Sequence, residues 1–272
     1  MSDSAPTLAV SSLVTALRAA GCVFAEDEAE LILSTTTDPA EIAAVVERRV
    51  AGLPLEHVLG WAGFSGLRIA VDPGVFVPRR RTEFLVRQAA ALAGPGAVVV
   101  DLCCGSGALG AALAVQLGRI ELHATDVEPA AVRCARRNLA GTGRVYEGDL
   151  FEPLPATLRG RVEILLANVP YVPTDDVGLL PPEARIHEPR VALDGGADGL
   201  DVLRRVVAEA PRWLAPGGHL LVETSERQAA RAVETIARSG LLPRVVGSEE
   251  LYATVAVATR PDGAALPGPS GG

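Results

Sequence analysis

The run AVVVDLCCGSGALGAALAVQL, residues 97–117, limits the fold of this chain more than any other stretch. A short apolar segment closes on an aspartate, a glycine-rich turn follows, and an alanine-rich helix leaves the turn at residues 108–117. A strand that is apolar at nearly every position has both faces covered, which is the situation inside a parallel sheet flanked by helices. The same alternation continues, with strands expected at residues 120–125, 162–168 and 219–224 and helices at 129–139, 203–213 and 228–239. Near the end, LLPRVVG and LYATVAVATR read as two consecutive strands forming an antiparallel edge. The fold class is therefore α/β, with a mixed sheet carrying helices on both faces.

The first part of the chain has a different period. Val10, Leu13, Val14 and Leu17 recur at helical spacing, and Leu31, Ile32 and Leu33 form a second apolar patch. Asp38-Pro39-Ala40-Glu41 sets an N-cap, a first-turn proline and a capping-box glutamate in order, opening a third helix that should end at Gly52. GFSGLRIAVDPGVFVPR then alternates glycine turns with β-forming residues. These signals divide the chain into a helical domain at residues 1–64, a β-hairpin linker at 65–78, a main domain at 79–260 and a disordered Pro- and Gly-rich tail at 261–272. With 272 residues, 49% of them hydrophobic, the chain can bury a core in each unit.

Composition excludes several functions. A net charge of −8 argues against a nonspecific grip on nucleic-acid backbone, which needs clustered cations. No charged-then-apolar leader and no bilayer-length apolar run occur, so a cytoplasmic protein without membrane contact is expected. Cys22, Cys103, Cys104 and Cys134 form no C-x-x-C pair, and the four histidines lack metal-ligand spacing, so no metal site is expected. The G-x-S-x-G elbow of a serine hydrolase is absent.

GSGALG fits the G-x-G-x-x-G of dinucleotide-binding turns, but it also fits any tight strand-to-helix turn. Among the neighbouring acids, Asp101 discriminates. Asp101 ends the strand just before the loop, where a carboxylate would repel a pyrophosphate and favour a cation such as the ammonium and sulfonium of S-adenosylmethionine. Asp126, at the end of the next strand, suits two ribose hydroxyls. Asp149 and Leu150, after the third, suit the amino group and the face of an adenine. Asn168, Val169, Pro170 and Tyr171 end the fourth strand, beside the expected methyl.

In order, the chain carries PLEHVLGWAGFSGL, VFVPRRRTEFLV, DLCCGSGALG, ATDVEP, GDLFEPL, NVPYVP, EARIHEPRVALDGGADGLDVLRRVV and LAPGGHLLVET. From about residue 54 to 260 it resembles the release factor glutamine methyltransferase family, whose members methylate the glutamine of the Gly-Gly-Gln motif in class I peptide chain release factors. The run from Glu183 to Val206 is the most specific part of the likeness. The resemblance implies a class I S-adenosylmethionine-dependent methyltransferase fold, with a seven-stranded mixed sheet behind a small N-terminal helical domain. It implies S-adenosylmethionine as cofactor, held by Asp101, Cys103, Cys104, Gly105, Ser106, Gly107, Asp126, Asp149, Leu150 and Asn168. It implies a release factor as protein substrate, no direct nucleic-acid binding and a monomeric enzyme. Asn168 and the Val169 carbonyl would hold the acceptor amide, with Pro170 fixing the turn and Tyr171 packing on the amide plane.

Two positions depart from the family pattern. Its Asn-Pro-Pro-Tyr reads Asn168-Val169-Pro170-Tyr171, and its proline plus acid after Pro-Arg reads Arg80-Arg81. The same Asn-x-Pro-Tyr device serves amino groups of adenine and cytosine, so a nucleic-acid amino methyltransferase is an alternative. A small-amine methyltransferase and a non-catalytic cofactor-binding paralogue are others.

Overall fold

The computed structural model describes residues 4–263, with side chains from residue 10; the tail expected beyond residue 263 lies outside the described residues. Helices α1 (Ser4–Ala19), α2 (Ala25–Thr35) and α3 (Pro39–Val50), followed by the single turn α4 (Leu55–Leu59), form a separate small core. Leu13 and Leu17 of α1 meet Ala25, Ala29 and Ile32 of α2 and Leu55 of α4, the i, i+3, i+4 spacing having placed each set on one face. Asp38 caps α3, accepting the Ala40 N–H at 3.0 Å. The capping box does not close as expected. Glu41 accepts instead from the Thr36 hydroxyl, which itself accepts the Asp38 N–H, because that upstream hydroxyl already serves the donor Glu41 would have taken.

The hairpin pairs β1 (Trp61–Phe64) with β2 (Leu67–Ala70) through Ser65 and Gly66, both at positive φ. Two left-handed residues in a two-residue loop match the twist of antiparallel strands. The hairpin therefore starts before residue 65, and the boundary expected there falls inside its turn. Ala62, Phe64 and Ile69 are buried against the main core.

After α5 (Glu83–Leu92), which sequence periodicity had not singled out, the alternation runs as expected: β3 (Val98–Leu102), α6 (Ala108–Leu117), β4 (Glu121–Asp126), α7 (Pro129–Asn138), β5 (Gly143–Glu147) and β6 (Val162–Ala167). It continues through α8 (Pro182–His187), α9 (Asp201–Trp213), β7 (Leu214–Thr224), α10 (Ala229–Ala237), β8 (Leu242–Ser248) and β9 (Ala253–Thr259). The seven-stranded sheet has the order β5-β4-β3-β6-β7-β9-β8, with β9 antiparallel to both neighbours and the other pairs parallel. Alternate strand residues face opposite cores. Val99, Ile164 and Leu221 pack toward α5, α6 and α7, whereas Val98, Val100, Leu165 and Leu220 pack toward α9 and α10. The chain moves outward from β3 to β5 and then crosses to β6 on the other side of β3. This reversal opens a crevice at the carboxyl ends of β3 and β6, the usual ligand position in such sheets.

Candidate active site

A cavity of about 380 Å³ occupies that crevice. Its floor is the turn between β3 and α6, where Cys103, Gly105 and Gly107 all have positive φ, at +53°, +54° and +78°. Left-handed backbone at a non-glycine residue such as Cys103 is a local strain that surrounding contacts must hold. The contacts come from β4. Cys104 N–H donates to the Thr125 carbonyl (3.0 Å), and Gly105 N–H donates to Asp126 Oδ2 (2.8 Å). Asp126 Oδ1 accepts the Glu128 N–H at 2.9 Å. Its carboxylate is thereby fixed at the cavity edge, each oxygen keeping a lone pair for a hydroxyl of the ligand. Burial pushes its pKa up, opposed by those backbone donors.

Of the residues singled out in the sequence, Cys103, Cys104, Gly105, Ser106, Asp126, Asp149, Leu150 and all of Asn168 to Tyr171 border the cavity. Two expected cofactor residues do not. Asp101 lies beneath the loop, 1% exposed, because its strand position points it at the α6 side of the sheet, where Oδ2 accepts the Gly110 N–H at 3.1 Å. Gly107 serves packing: a Cβ there would come within 3.1 Å of Leu139 and 3.2 Å of Ala135, so its absence lets α6 close on α7. Asp149 borders the cavity but shares one oxygen with Arg205 of α9.

Burial raises the Asp101 pKa from its ordinary 3.8 to about 7. A carboxyl that keeps its proton longer in the folded state than in the unfolded one stabilises the fold at low pH and loses that contribution as pH rises between those two values. Asp101→Asn is expected to remove this dependence. The melting temperature of the ligand-free variant should gain on the parent from pH 5 to pH 7 and hold a constant lead above; parallel curves would mean that Asp101 is ionised throughout.

The donor set fits S-adenosylmethionine better than a dinucleotide. The three cationic side chains bordering the cavity are each paired with an acid, Arg79 with Glu188, Arg81 with Glu223 and Arg205 with Asp149, which leaves no unpaired cation for a pyrophosphate. Acidic groups at the ends of successive strands suit hydroxyl, amino and ammonium groups instead.

The opposite wall is the turn after β6. Among the described residues, no hydrogen bond of the protein occupies the Asn168 side chain or the Val169 carbonyl. The turn is braced from behind by the glycine-rich run after α8. Val172 N–H donates to the Leu193 carbonyl (3.0 Å), Gly195 N–H to the Val172 carbonyl (2.8 Å), and Val172 bridges Asp194 as a one-residue parallel pair. A Cβ on Gly195 would lie 2.7 Å from the Pro170 carbonyl oxygen and 2.8 Å from Tyr171 Cα. Gln228, at the start of α10, donates through Nε2 to the Tyr171 carbonyl (2.9 Å) and to the Asp198 carbonyl (3.1 Å). Glu188 ties the same segment to the linker, accepting from Arg79 Nη2 (2.6 Å) and the Val77 N–H (3.2 Å).

Sequence reasoning had singled out the run EPRVALDGGADGLD without a physical role; its role is to support the turn. Gln228 and Glu223 carried no local signal, since a glutamine opening a helix and a glutamate ending a strand are commonplace.

The model of the methyltransferase small domain family matches residues 66–179. A release factor glutamine methyltransferase of Geobacter sulfurreducens is 41% identical over 209 residues, covering 75% of this chain and 72% of its own length. One from Mycolicibacterium smegmatis is 40% identical over 231 residues, covering 83% and 82%. Among solved structures, a methyltransferase from Pyrococcus furiosus superposes with TM-score 0.55 at 16% identity over 80% of this chain and 98% of its own. A ribosomal protein L11 methylase from Lactobacillus delbrueckii subsp. bulgaricus reaches 0.51 at 16% identity, over 71% and 85%. These two carry the fold alone, the seven-stranded mixed sheet of class I methyltransferases. Fold, cavity chemistry and extended identity agree, and the chain belongs to the release factor glutamine methyltransferase family.

Proposed function

We propose that this methyltransferase acts on the side-chain amide nitrogen of a glutamine in the Gly-Gly-Gln motif of a class I peptide chain release factor. The observation that carries the reading is a pair of acceptors uncommitted among the described residues, the Asn168 side-chain oxygen and the Val169 carbonyl, on two consecutive residues that line the cavity. When bound, S-adenosylmethionine supplies a methyl on a sulfonium sulfur that keeps the bonding pair as the methyl leaves. An amide nitrogen is a poor nucleophile because its lone pair is delocalised into the carbonyl. Asn168 and Val169 each accept one of its N–H bonds, which fixes the nitrogen, turns its lone pair toward the methyl and stabilises the positive charge that grows there. Valine offers the same carbonyl as proline, so the departure at position 169 preserves this acceptor. Tyr171 packs beside the amide plane. Once methylated, the nitrogen is acidic enough to give its proton to water, and no side-chain base is needed.

Of the three arginines at residues 79–81 that could favour the nucleic-acid reading, Arg79 and Arg81 are held by Glu188 and Glu223 rather than presented to phosphate. No described helix is long and apolar enough to cross a membrane. A release factor as substrate carries a cytoplasmic location with it. The test is transfer of labelled methyl from S-adenosylmethionine to a purified class I release factor, with a glutamine-substituted factor as control. Label that requires the glutamine supports the reading; label on neither factor, with cofactor binding intact, moves the acceptor to nucleic acids or small amines.

A further inference from the structure

Arg81 stands where the family pattern has an acid, and its surroundings give it a function. It leaves the short 3-10 turn before α5 and reaches across the cavity rim. Nε donates to Glu223 Oε1 at 3.0 Å, and Nη2 donates to the Tyr171 hydroxyl at 2.6 Å. The Tyr171 hydroxyl in turn donates to the same Glu223 oxygen at 3.3 Å. Glu223 is 3% exposed, at the end of β7, the strand beside β6 in the sheet. Three groups from three separate segments thus close a triangle around one phenol. The planar guanidinium holds two acceptors at once, a geometry that a point charge such as lysine cannot reproduce.

The triangle matters because of what it holds. Tyr171 ends the tetrapeptide whose first two residues present the acceptors for the substrate amide. A proline at position 169 would fix φ there and restrain Asn168 before it. Valine leaves both softer. The main-chain brace from Gly195 and Gln228 fixes the far end of the turn, but neither contact touches the Tyr171 ring.

We propose that Arg81, anchored on the buried Glu223, is a positioning residue that locks the Tyr171 side chain and so holds the Asn168–Tyr171 turn in its acceptor-binding geometry, in place of the restraint a proline would give. The proposal rests on the reading of this turn as the amide-binding wall. It predicts an effect on the chemical step, with cofactor binding spared, because the hydrogen bonds of Arg81 go to Glu223 and Tyr171 rather than to the turn from Cys103 to Ser106.

The variants are Arg81→Met, Tyr171→Phe, their combination, and Arg81→Met with Glu223→Gln. The last removes the buried carboxylate left unpaired by the first, so that a folding defect does not stand in for the proposed one. Each is assayed on the full chain for kcat, for KM of acceptor and for Kd of S-adenosylmethionine. Arg81→Met should lower kcat about tenfold, the change a loosened near-attack geometry produces, with cofactor Kd within about twofold. Tyr171→Phe plus Arg81→Met should be no worse than the poorer single variant, since both break one triangle. Arg81→Met/Glu223→Gln should melt like the parent and keep the kcat loss.

Recovery of full kcat in that neutral pair would overturn the proposal, because Arg81 would then merely balance a charge. Multiplicative losses in the Tyr171 combination would overturn it too, as would a loss lying wholly in cofactor affinity. An acceptor-independent readout separates this from the substrate reading. The chain has three tyrosines, so the ¹³Cζ resonance of Tyr171 can be assigned with Tyr171→Phe. It should shift in Arg81→Met without any acceptor present, even if the release factor proves not to be the substrate. An unmoved resonance would sink the proposal.

Discussion

Asn168→Ala is expected to lower kcat for methyl transfer by roughly 10²-fold or more, the cost of removing one preorganised polar partner from a reacting centre. Cofactor affinity should change far less, because the groups proposed to hold most of the cofactor, Asp126 and the turn from Cys103 to Ser106, lie on other strands. The reason for the asymmetry is geometric. Among the described residues the Asn168 oxygen has no partner within the protein, so on the proposed reading nothing substitutes for it in alanine, and one N–H of the substrate is left to find water. Asn168→Asp keeps an acceptor of the same size but adds charge, and should retain more activity than alanine. Single-turnover rates with saturating cofactor would check this. Alanine and parent enzymes of equal rate would show that the amide is held elsewhere.

Gly195→Ala is expected to have the second-largest effect, on stability and activity together. Its Cβ would meet the Pro170 carbonyl oxygen at 2.7 Å, the Gly199 carbonyl oxygen at 2.8 Å and Tyr171 Cα at 2.8 Å, all of them main-chain atoms that cannot rotate away. Overpacking of this kind costs about 1–3 kcal/mol where side chains can adjust, and the upper end applies where only backbone can move. The displaced backbone is the turn proposed to bind the amide, so kcat should fall at least about tenfold even at temperatures where the variant is fully folded. Urea midpoints and kcat measured on the same preparation would separate the two effects. A destabilised variant with parental kcat would show that the brace holds the fold without setting the geometry of the turn.

Several parts of the molecule were legible in residue patterns because their causes are local. Helix α6 begins and ends where the alanine-rich segment after GSG does, and the antiparallel pair β8 and β9 follows from two β-rich runs joined by a short connection. The four cavity-wall residues at the end of β6 were identifiable from the order of the motifs around them, since Asn-x-Pro-Tyr alone reads equally well as a turn. Helix α5 was hidden by the arginines ahead of it, and the hairpin began earlier than its glycines suggested, since a two-residue left-handed loop leaves so little chain between strands.

What escaped the sequence was every assignment that depends on which way a side chain points and what meets it from a distant segment. Asp101 has the right chemistry and the right neighbours for a cofactor contact, yet strand pleat turns it under the loop toward Gly110. The Arg81 triangle joins residues up to 142 positions apart in the chain. Period, capping and turn chemistry act within a few residues and can be read from one stretch. The direction of a carboxylate, the partner of a guanidinium and the brace behind a turn are set by how sheet and helices pack. For this protein the sequence by itself determined the α/β architecture and the glycine turn and Asn-x-Pro-Tyr turn that border the crevice; the tertiary structure decided which acids face the cavity and what holds the second turn, because those are properties of packing between segments that no local pattern encodes.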